Sequence, residues 1–77
     1  MIEEYPDTIF YPGYETALVG IAHRPASPPL AVYSATEIIQ ILMDRDGMTL
    51  DEAAEYLEYN IVGMWVGPGT PIVVSSL

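Results

Sequence analysis

TLDEAAEYLEYNIVGMWVGPGTP, residues 49 to 71, is the stretch that decides the fold of this chain. It joins an acidic segment with helical spacing to an uncharged tail that glycine and proline interrupt. Thr49 and Glu52 have the spacing of a capping box, in which each side chain bonds the backbone N–H of the other residue. This pattern predicts a helix that begins after Thr49 and reaches at least Tyr59.

Residues 60 to 67 fit either a continuation of this helix or a separate strand. In the helix, Ile61, Met64 and Trp65 extend the apolar face of the preceding turns, and Gly67 is a suitable end. A strand over the same residues would need both of its faces buried. Because the apolar stripe keeps its phase across this segment, the sequence favours the long helix.

The predicted helix also has an acidic face. Its carboxylates recur at one-turn spacing opposite the apolar stripe, and a long helix would place tyrosine and valine side chains among them. Tyrosine is enriched at binding surfaces, so this mixed surface suits a protein partner, although a solubilising face is the alternative interpretation. The candidate partner-binding residues are Asp51, Glu55, Glu58, Tyr59, Val62 and Val66.

The residues upstream of this stretch predict two strands and a first helix. Residues 17 to 24, ALVGIAHR, and residues 30 to 33, LAVY, have the composition of strands. The PASPP loop between them cannot join a sheet, and its length suits an antiparallel hairpin. Ser34 and Glu37 form a second capping box, which predicts a helix directly after the second strand.

Residues 70 to 74, TPIVV, predict the last strand because β-branched residues favour this conformation. The segment has no charge to protect an edge, so we expect it in the centre of the sheet or paired with another subunit. The predicted fold is α+β: a small antiparallel sheet of three strands, or four if residues 8 to 11 add one, with two helices on one face in the order β-β-α-α-β. Residues 1 to 16 form an acidic aromatic arm, and residues 17 to 77 form a single small α+β domain.

The composition limits the classes of function. The 77 residues include eleven Asp and Glu, two Arg and no Lys, which gives a net charge of -9. Nucleic-acid binding needs cationic side chains that neutralise phosphates, so we do not expect it here. An acidic chain suits a basic protein surface instead. Because this small domain is 51% hydrophobic and has no cysteine for a stabilising disulfide, we also expect a homo-oligomer.

The residues that common enzyme sites require are scarce. The chain has no cysteine nucleophile and no lysine for a phosphate-binding loop, and one histidine is too few for a histidine-based metal site. The carboxylates of the second helix are predicted to face water, whereas a general acid with a raised pKa needs an apolar pocket. We therefore expect no enzyme activity, cofactor or metal. The candidate anion-binding residues are His23, Arg24 and Arg45.

The sequence also bears on location. The N-terminus, MIEEYPD, carries acids where a secretory signal carries basic residues. From Tyr59 onward no residue is charged, a run long enough to cross a bilayer. Gly67, Pro68 and Pro71 would interrupt such a helix, however. We expect a cytoplasmic protein without a membrane segment.

Two motifs follow one another in the second half of the chain, E-A-x-E-Y and N-x-x-G-x-W-x-G-x-x-T-P. Their positions are Glu52, Ala53, Glu55, Tyr56, Asn60, Gly63, Trp65, Gly67, Thr70 and Pro71. With this combination, residues 41 to 71 resemble a recurrent pattern in small uncharacterised proteins of tailed bacteriophages. The resemblance implies a phage origin but no activity, and it carries over no functional residue.

These features lead to three functional expectations. The first is a non-catalytic phage protein in the cytoplasm of an infected bacterial host, where it inhibits a host antiviral defence component stoichiometrically through its acidic and aromatic surface. The second is an oligomeric sponge for a nucleotide-type small-molecule signal, in which His23, Arg24 or Arg45 and tyrosines form the pocket at a subunit interface. The third is a structural or scaffold protein.

Overall fold

The computed structural model describes residues 5 to 75, so residues 1 to 4 of the predicted arm lie outside the described range. A short 3-10 turn at Glu15–Ala17 precedes the first strand. Two strands, two helices and a third strand then follow, which confirms the predicted order β-β-α-α-β. The elements are β1 (Leu18–Ala22), β2 (Leu30–Ser34), α1 (Ala35–Asp46), α2 (Leu50–Tyr56), a π-helix that continues α2 (Leu57–Val62), and β3 (Ile72–Val74).

The three strands form a mixed sheet in the order β1-β2-β3. β1 and β2 form the predicted antiparallel hairpin, with Ala22 opposite Leu30. β3 is parallel to β2, with Val32 opposite Ile72, so the prediction of a fully antiparallel sheet was wrong. A parallel pair needs a crossover connection of a dozen or more residues. The two helices and the turn after them supply that connection.

The last strand lies at an edge of the sheet, so its predicted central position was also wrong. β2 occupies the centre because it carries the most buried residues of the three strands, Leu30, Ala31 and Tyr33. Residues 8 to 11 do not add a fourth strand to the described sheet. Pairing of β3 with another subunit stays a prediction.

The residues before β1 pack against the hairpin through two hydrogen bonds and a contact between aromatic rings. The Thr8 hydroxyl donates to the backbone carbonyl of Pro29 at 3.1 Å. The backbone N–H of Tyr11 donates to the hydroxyl of Tyr33 at 2.9 Å, and the centroids of these two rings are 5.1 Å apart. Tyr11 belongs to the same core cluster as Ile38 and Leu42 of α1. The arm therefore contributes an aromatic ring to the core.

Both helices begin at the predicted caps. The Ser34 hydroxyl accepts the N–H of Glu37 at 3.4 Å, one half of the expected capping box, while Ser34 also pairs with β3. Thr49 and Glu52 form the complete box, with bonds of 3.2 Å and 2.9 Å. Gly47 ends α1 with a φ of 68°, in the left-handed region that favours glycine.

The segment after Tyr59 is helical, which excludes the alternative strand, but the helix is shorter than predicted. It widens into the π-helix, where the N–H of Gly63 bonds the carbonyl of Glu58 at 3.1 Å, five residues back. The helix then ends at Gly63 rather than at Gly67. Periodicity did not reveal this end because Met64 and Trp65 keep the phase of the apolar stripe although they lie beyond the helix. Leu57 and Ile61 stay buried, whereas Trp65 lies outside the helix and is 73% exposed.

The two core tyrosines predict opposite effects of losing a hydroxyl. Tyr33→Phe removes the acceptor of the buried Tyr11 N–H and should lower the free energy of unfolding by about 1 to 3 kcal/mol. The Tyr11 hydroxyl is buried without a hydrogen-bond partner in the described structure, so Tyr11→Phe should be neutral or stabilising. Urea denaturation measures both variants. A greater loss of stability for Tyr11→Phe than for Tyr33→Phe would contradict this assignment.

Stability should also fall at alkaline pH. Burial raises the pKa of Tyr11 and the pKa of Tyr33 above the ordinary value of 10.0, because the phenolate is poorly solvated in the core. The folded state then holds these protons more tightly than the unfolded state, so the stabilisation is complete below about pH 10 and is lost as pH rises above it. The slope should be at most about 1.4 kcal/mol per pH unit for each tyrosine. In the double variant Tyr11→Phe and Tyr33→Phe, the free energy of unfolding should fall less steeply with pH above about pH 10. The other tyrosines are present in both proteins and affect both equally.

Candidate functional site

Four large apolar side chains are exposed within five consecutive residues. They are Val62, Met64, Trp65 and Val66. Because consecutive Cα atoms are about 3.8 Å apart, all four lie within about 15 Å of chain. Isolated apolar residues are common on protein surfaces, but four exposed apolar side chains so close along the chain make this segment a candidate interaction site.

The π-helix and the turn after it set the position of this group. The buried Leu57 and Ile61 anchor the helix to the core and leave Glu58, Tyr59 and Val62 exposed. π-helical turns are rare and occur frequently at functional sites. The buried pair thus fixes which side chains of this segment reach the surface.

The turn that follows the helix is held by one threonine. The hydroxyl of Thr70 accepts the N–H of Val66 at 2.9 Å and donates to the carbonyl of Gly67 at 2.6 Å. The N–H of Thr70 also bonds the Gly67 carbonyl, at 3.0 Å. The backbone of Val66 is therefore held by a hydrogen-bonded turn, and Trp65 lies immediately before that turn.

Three carboxylates lie on the exposed side of the same helical segment. Asp51, Glu55 and Glu58 are spaced by one turn, and all three are exposed. Between residues 5 and 75 the structure contains a single ion pair, Arg45 with Asp46, so no cationic side chain in this range neutralises the three carboxylates. Their negative potential is available to a partner.

All six candidate partner-binding residues are exposed, and they do not occupy one helix as predicted. Five of them lie on α2 and its π-helical continuation, whereas Val66 lies in the turn. Sequence reasoning assigned Trp65 to the buried face and so missed the largest exposed apolar side chain. Gly63, which ends the helix, was the available signal. We define the acidic aromatic surface as Asp51, Glu55, Glu58, Tyr59, Val62, Trp65 and Val66.

A shallow groove of about 350 Å³ borders this surface. It is lined by Met48, Glu52, Glu55, Tyr56, Tyr59 and Asn60. Five of these residues recur at helical spacing, at positions 52, 55, 56, 59 and 60, a pattern that the sequence contains and that sequence reasoning did not use. One oxygen of Glu52 accepts the N–H of Thr49, whereas Glu55 and Tyr59 are exposed.

The three candidate anion-binding residues do not contact one another as a group: His23 and Arg24 lie in one loop, and Arg45 makes contacts elsewhere. His23 and Arg24 follow β1 in the exposed hairpin loop, where the His23 ring lies 6.3 Å from the Tyr5 ring. Arg45 instead lies over the Tyr14 ring, 5.0 Å from its centroid, and donates to the Tyr14 hydroxyl and to the Asp46 carboxylate. The contacts of Arg45 include neither His23 nor Arg24.

The ion pair at the end of α1 explains the shifted pKa values there. The hydrogen bond to Asp46, followed by the bond to Tyr14, raises the pKa of Arg45 above its ordinary value. The same bond lowers the pKa of Asp46. Both groups are exposed, so the pair carries little stability. The arm is held by the other bonds of Arg45, to the Gly13 carbonyl and the Tyr14 hydroxyl.

Within residues 5 to 75 the structure has no cluster of three or more His, Cys, Asp or Glu side chains that could hold a metal ion. Nor does any helix of that range have the length and hydropathy needed to span a membrane. No family model, curated protein or solved structure matches the chain. The chemistry of the exposed side chains is therefore the basis for inferring function.

Proposed function

We propose that this chain is a non-catalytic binding protein that docks through the acidic aromatic surface on a basic surface of another protein. The observation that carries the proposal is Trp65, the largest apolar side chain of the protein, which is 73% exposed. A tryptophan that is mostly left in water adds little buried area to the core of the monomer. It is suited to a partner.

The apolar part of the surface would supply most of the affinity. Tryptophan and tyrosine dominate the energetic centres of protein interfaces because each buries a large rigid area at a small entropic cost. A tryptophan side chain buries about 150 to 250 Å², so covering the exposed part of Trp65 contributes roughly 3 kcal/mol at about 25 cal/mol per Å², before the entropic costs of association are subtracted. Tyr59 and Val62 are exposed as well and add further apolar area.

The acidic part would set the choice of partner and the rate of association. Complementary charge increases association rates by about 10 to 10³-fold at low ionic strength and rejects partners of like charge. With a net charge of -9, the chain repels other acidic proteins and attracts basic ones. The expected partner presents arginine or lysine around an apolar pocket.

The resemblance of residues 41 to 71 to small phage proteins supports a more specific proposal. The partner would be an antiviral defence component in the cytoplasm of an infected bacterial host, and the chain would inhibit it stoichiometrically by covering its basic surface. The alternative, a sponge for a nucleotide signal, depends on free cationic side chains. Arg45 is already bound to Asp46 and Tyr14, so the side-chain contacts favour the protein partner.

The proposed function predicts a stoichiometric complex that depends on the acidic aromatic surface. Native mass spectrometry of the chain purified from its host should show a bound host protein. The triple variant Asp51→Asn, Glu55→Gln and Glu58→Gln should slow association by at least about tenfold at low salt. Trp65→Ser should weaken the complex by about 2 kcal/mol or more. Because the chain has one tryptophan, a blue shift of its emission reports the contact directly.

A matched variant controls for the loss of charge. Asp7→Asn, Glu37→Gln and Asp44→Asn remove the same number of charges from exposed positions outside the surface. This variant should bind like the wild type. The proposal fails if both triple variants bind equally well, or if the chain is purified without a protein partner. A tightly bound nucleotide in its place would support the sponge.

We also propose that the chain forms a homodimer through β3. This strand lies at an edge of the sheet, carries no charge and leaves Val74 exposed. Unprotected edges pair readily with other strands. Antiparallel pairing of β3 with its own copy is self-complementary under two-fold symmetry, so it closes into a dimer with one continuous sheet. The opposite edge is less suitable because β1 has a register shift between Leu18 and Gly20, a bulge that hinders edge pairing.

The dimer proposal predicts different effects of a lysine on the two edge strands. Val74→Lys should convert the dimer to a monomer, because a charge on β3 would be buried without a partner. Val19→Lys places the same charge on β1, where Val19 is exposed, and should leave the dimer intact. Size-exclusion chromatography with light scattering measures both masses. A wild-type monomer at high concentration, or dissociation by Val19→Lys alone, would contradict the proposal.

A further inference from the structure

The groove beside the acidic aromatic surface combines two kinds of side chain that bind cations. Glu55 contributes an exposed carboxylate, and Glu52 keeps one oxygen that is not used in the helix cap. Tyr56 and Tyr59 contribute aromatic side chains from adjacent turns, and Met48 contributes a half-buried apolar side chain. The geometry points to a site for a single arginine side chain supplied by a basic protein partner.

The chemistry of the groove matches a guanidinium group. A guanidinium is planar and can stack on a tyrosine ring while its N–H groups donate to a carboxylate. A lysine ammonium makes a point contact and cannot do both in one plane. The groove volume of about 350 Å³ lies at the lower limit of small-molecule sites, which fits one long side chain better than a cofactor.

The protein itself contains an arginine bound in this way. Arg45 lies 5.0 Å from the centroid of the Tyr14 ring, and its guanidinium bonds both oxygens of Asp46 at 3.1 Å and 2.9 Å. The groove offers the same two components, a tyrosine ring and a nearby carboxylate, without the cation. This internal example shows that the combination holds an exposed guanidinium in one position.

The occupant comes from another molecule because the chain has few cations of its own. It has no lysine, and its arginines are Arg24 and Arg45. Arg45 is engaged with Asp46 and Tyr14, and Arg24 lies in the β1–β2 loop and does not line the groove. This inference rests on the proposed function, since it assigns one contact of the basic partner.

Peptide titration of the full chain tests the site. The probe is N-acetyl-Gly-Arg-Gly-amide, and its control replaces arginine with citrulline, which has the same shape but no charge. We expect saturable NMR shifts of the Tyr56 and Tyr59 rings and of the Met48 methyl, with a dissociation constant of about 1 mM, as suits one side chain. The citrulline peptide should bind at least about tenfold more weakly. A lysine peptide should bind more weakly than the arginine peptide.

Two variants of equal charge locate the site on the helix. Glu55→Gln removes a carboxylate that lines the groove, whereas Glu37→Gln removes an exposed carboxylate of α1, outside both the groove and the acidic aromatic surface. The first should weaken arginine binding several-fold and the second should leave it unchanged. Tyr59→Ala, at a side chain that is 75% exposed, should weaken binding without affecting the fold. Equal effects of Glu55→Gln and Glu37→Gln would show diffuse attraction to the net charge and overturn the site.

The peptide titration tests the arginine site, and the search for a complex tests the proposed function, so the two can be refuted independently. If the peptide does not produce saturable shifts, or if the shifts map away from the groove, the arginine site is wrong even when the chain forms a stoichiometric complex. If the peptide binds as expected and the chain has no protein partner, the site stands and the proposed function is wrong.

Discussion

The hydroxyl of Tyr33 accepts the backbone N–H of Tyr11 inside the core, and much of the structure depends on this bond. Tyr33 lies on the central strand and is fully buried, so its hydroxyl must find a partner within the protein. The partner comes from the residues before β1, which fixes that segment against the sheet. Three residues farther along, Tyr14 then meets Arg45 at the end of α1. One buried polar group thus links the arm, the sheet and the first helix.

The core that surrounds this bond is narrow. Besides the two tyrosines, many of its members are alanines, and the largest aliphatic side chains that are fully buried are Ile38 and Leu42. Small residues let the elements approach closely, but they leave little room for bulky side chains. The one tryptophan stays outside. The protein therefore builds its core from two tyrosines and modest aliphatic side chains, and leaves its one tryptophan on the surface.

The sequence predicted those parts of the structure that depend on neighbouring residues. The caps at Ser34 and Thr49, the β1–β2 hairpin and the order of the elements all follow from local patterns. The direction of β3 did not, because the composition of a three-residue strand is the same whether it runs parallel or antiparallel to its neighbour. The six candidate binding residues were exposed as expected, whereas Trp65 was misplaced. The position of Trp65 depends on where the helix ends. Apolar residues can keep the helical spacing beyond that end, so their spacing alone does not show whether they are buried or exposed.

The π-helix makes the surface tolerant of a change in chain length. A hydrogen bond that spans five residues instead of four accommodates one extra residue without breaking the helix. If one residue were deleted between Leu57 and Val62, the remaining residues could form an ordinary α-helical turn, and the chain after it would keep its direction. A second deletion would find no extra residue to remove and would rotate everything after it by about 100° around the helix axis. Trp65 and Val66 would then point in another direction, although the core residues before the deletion would be unchanged.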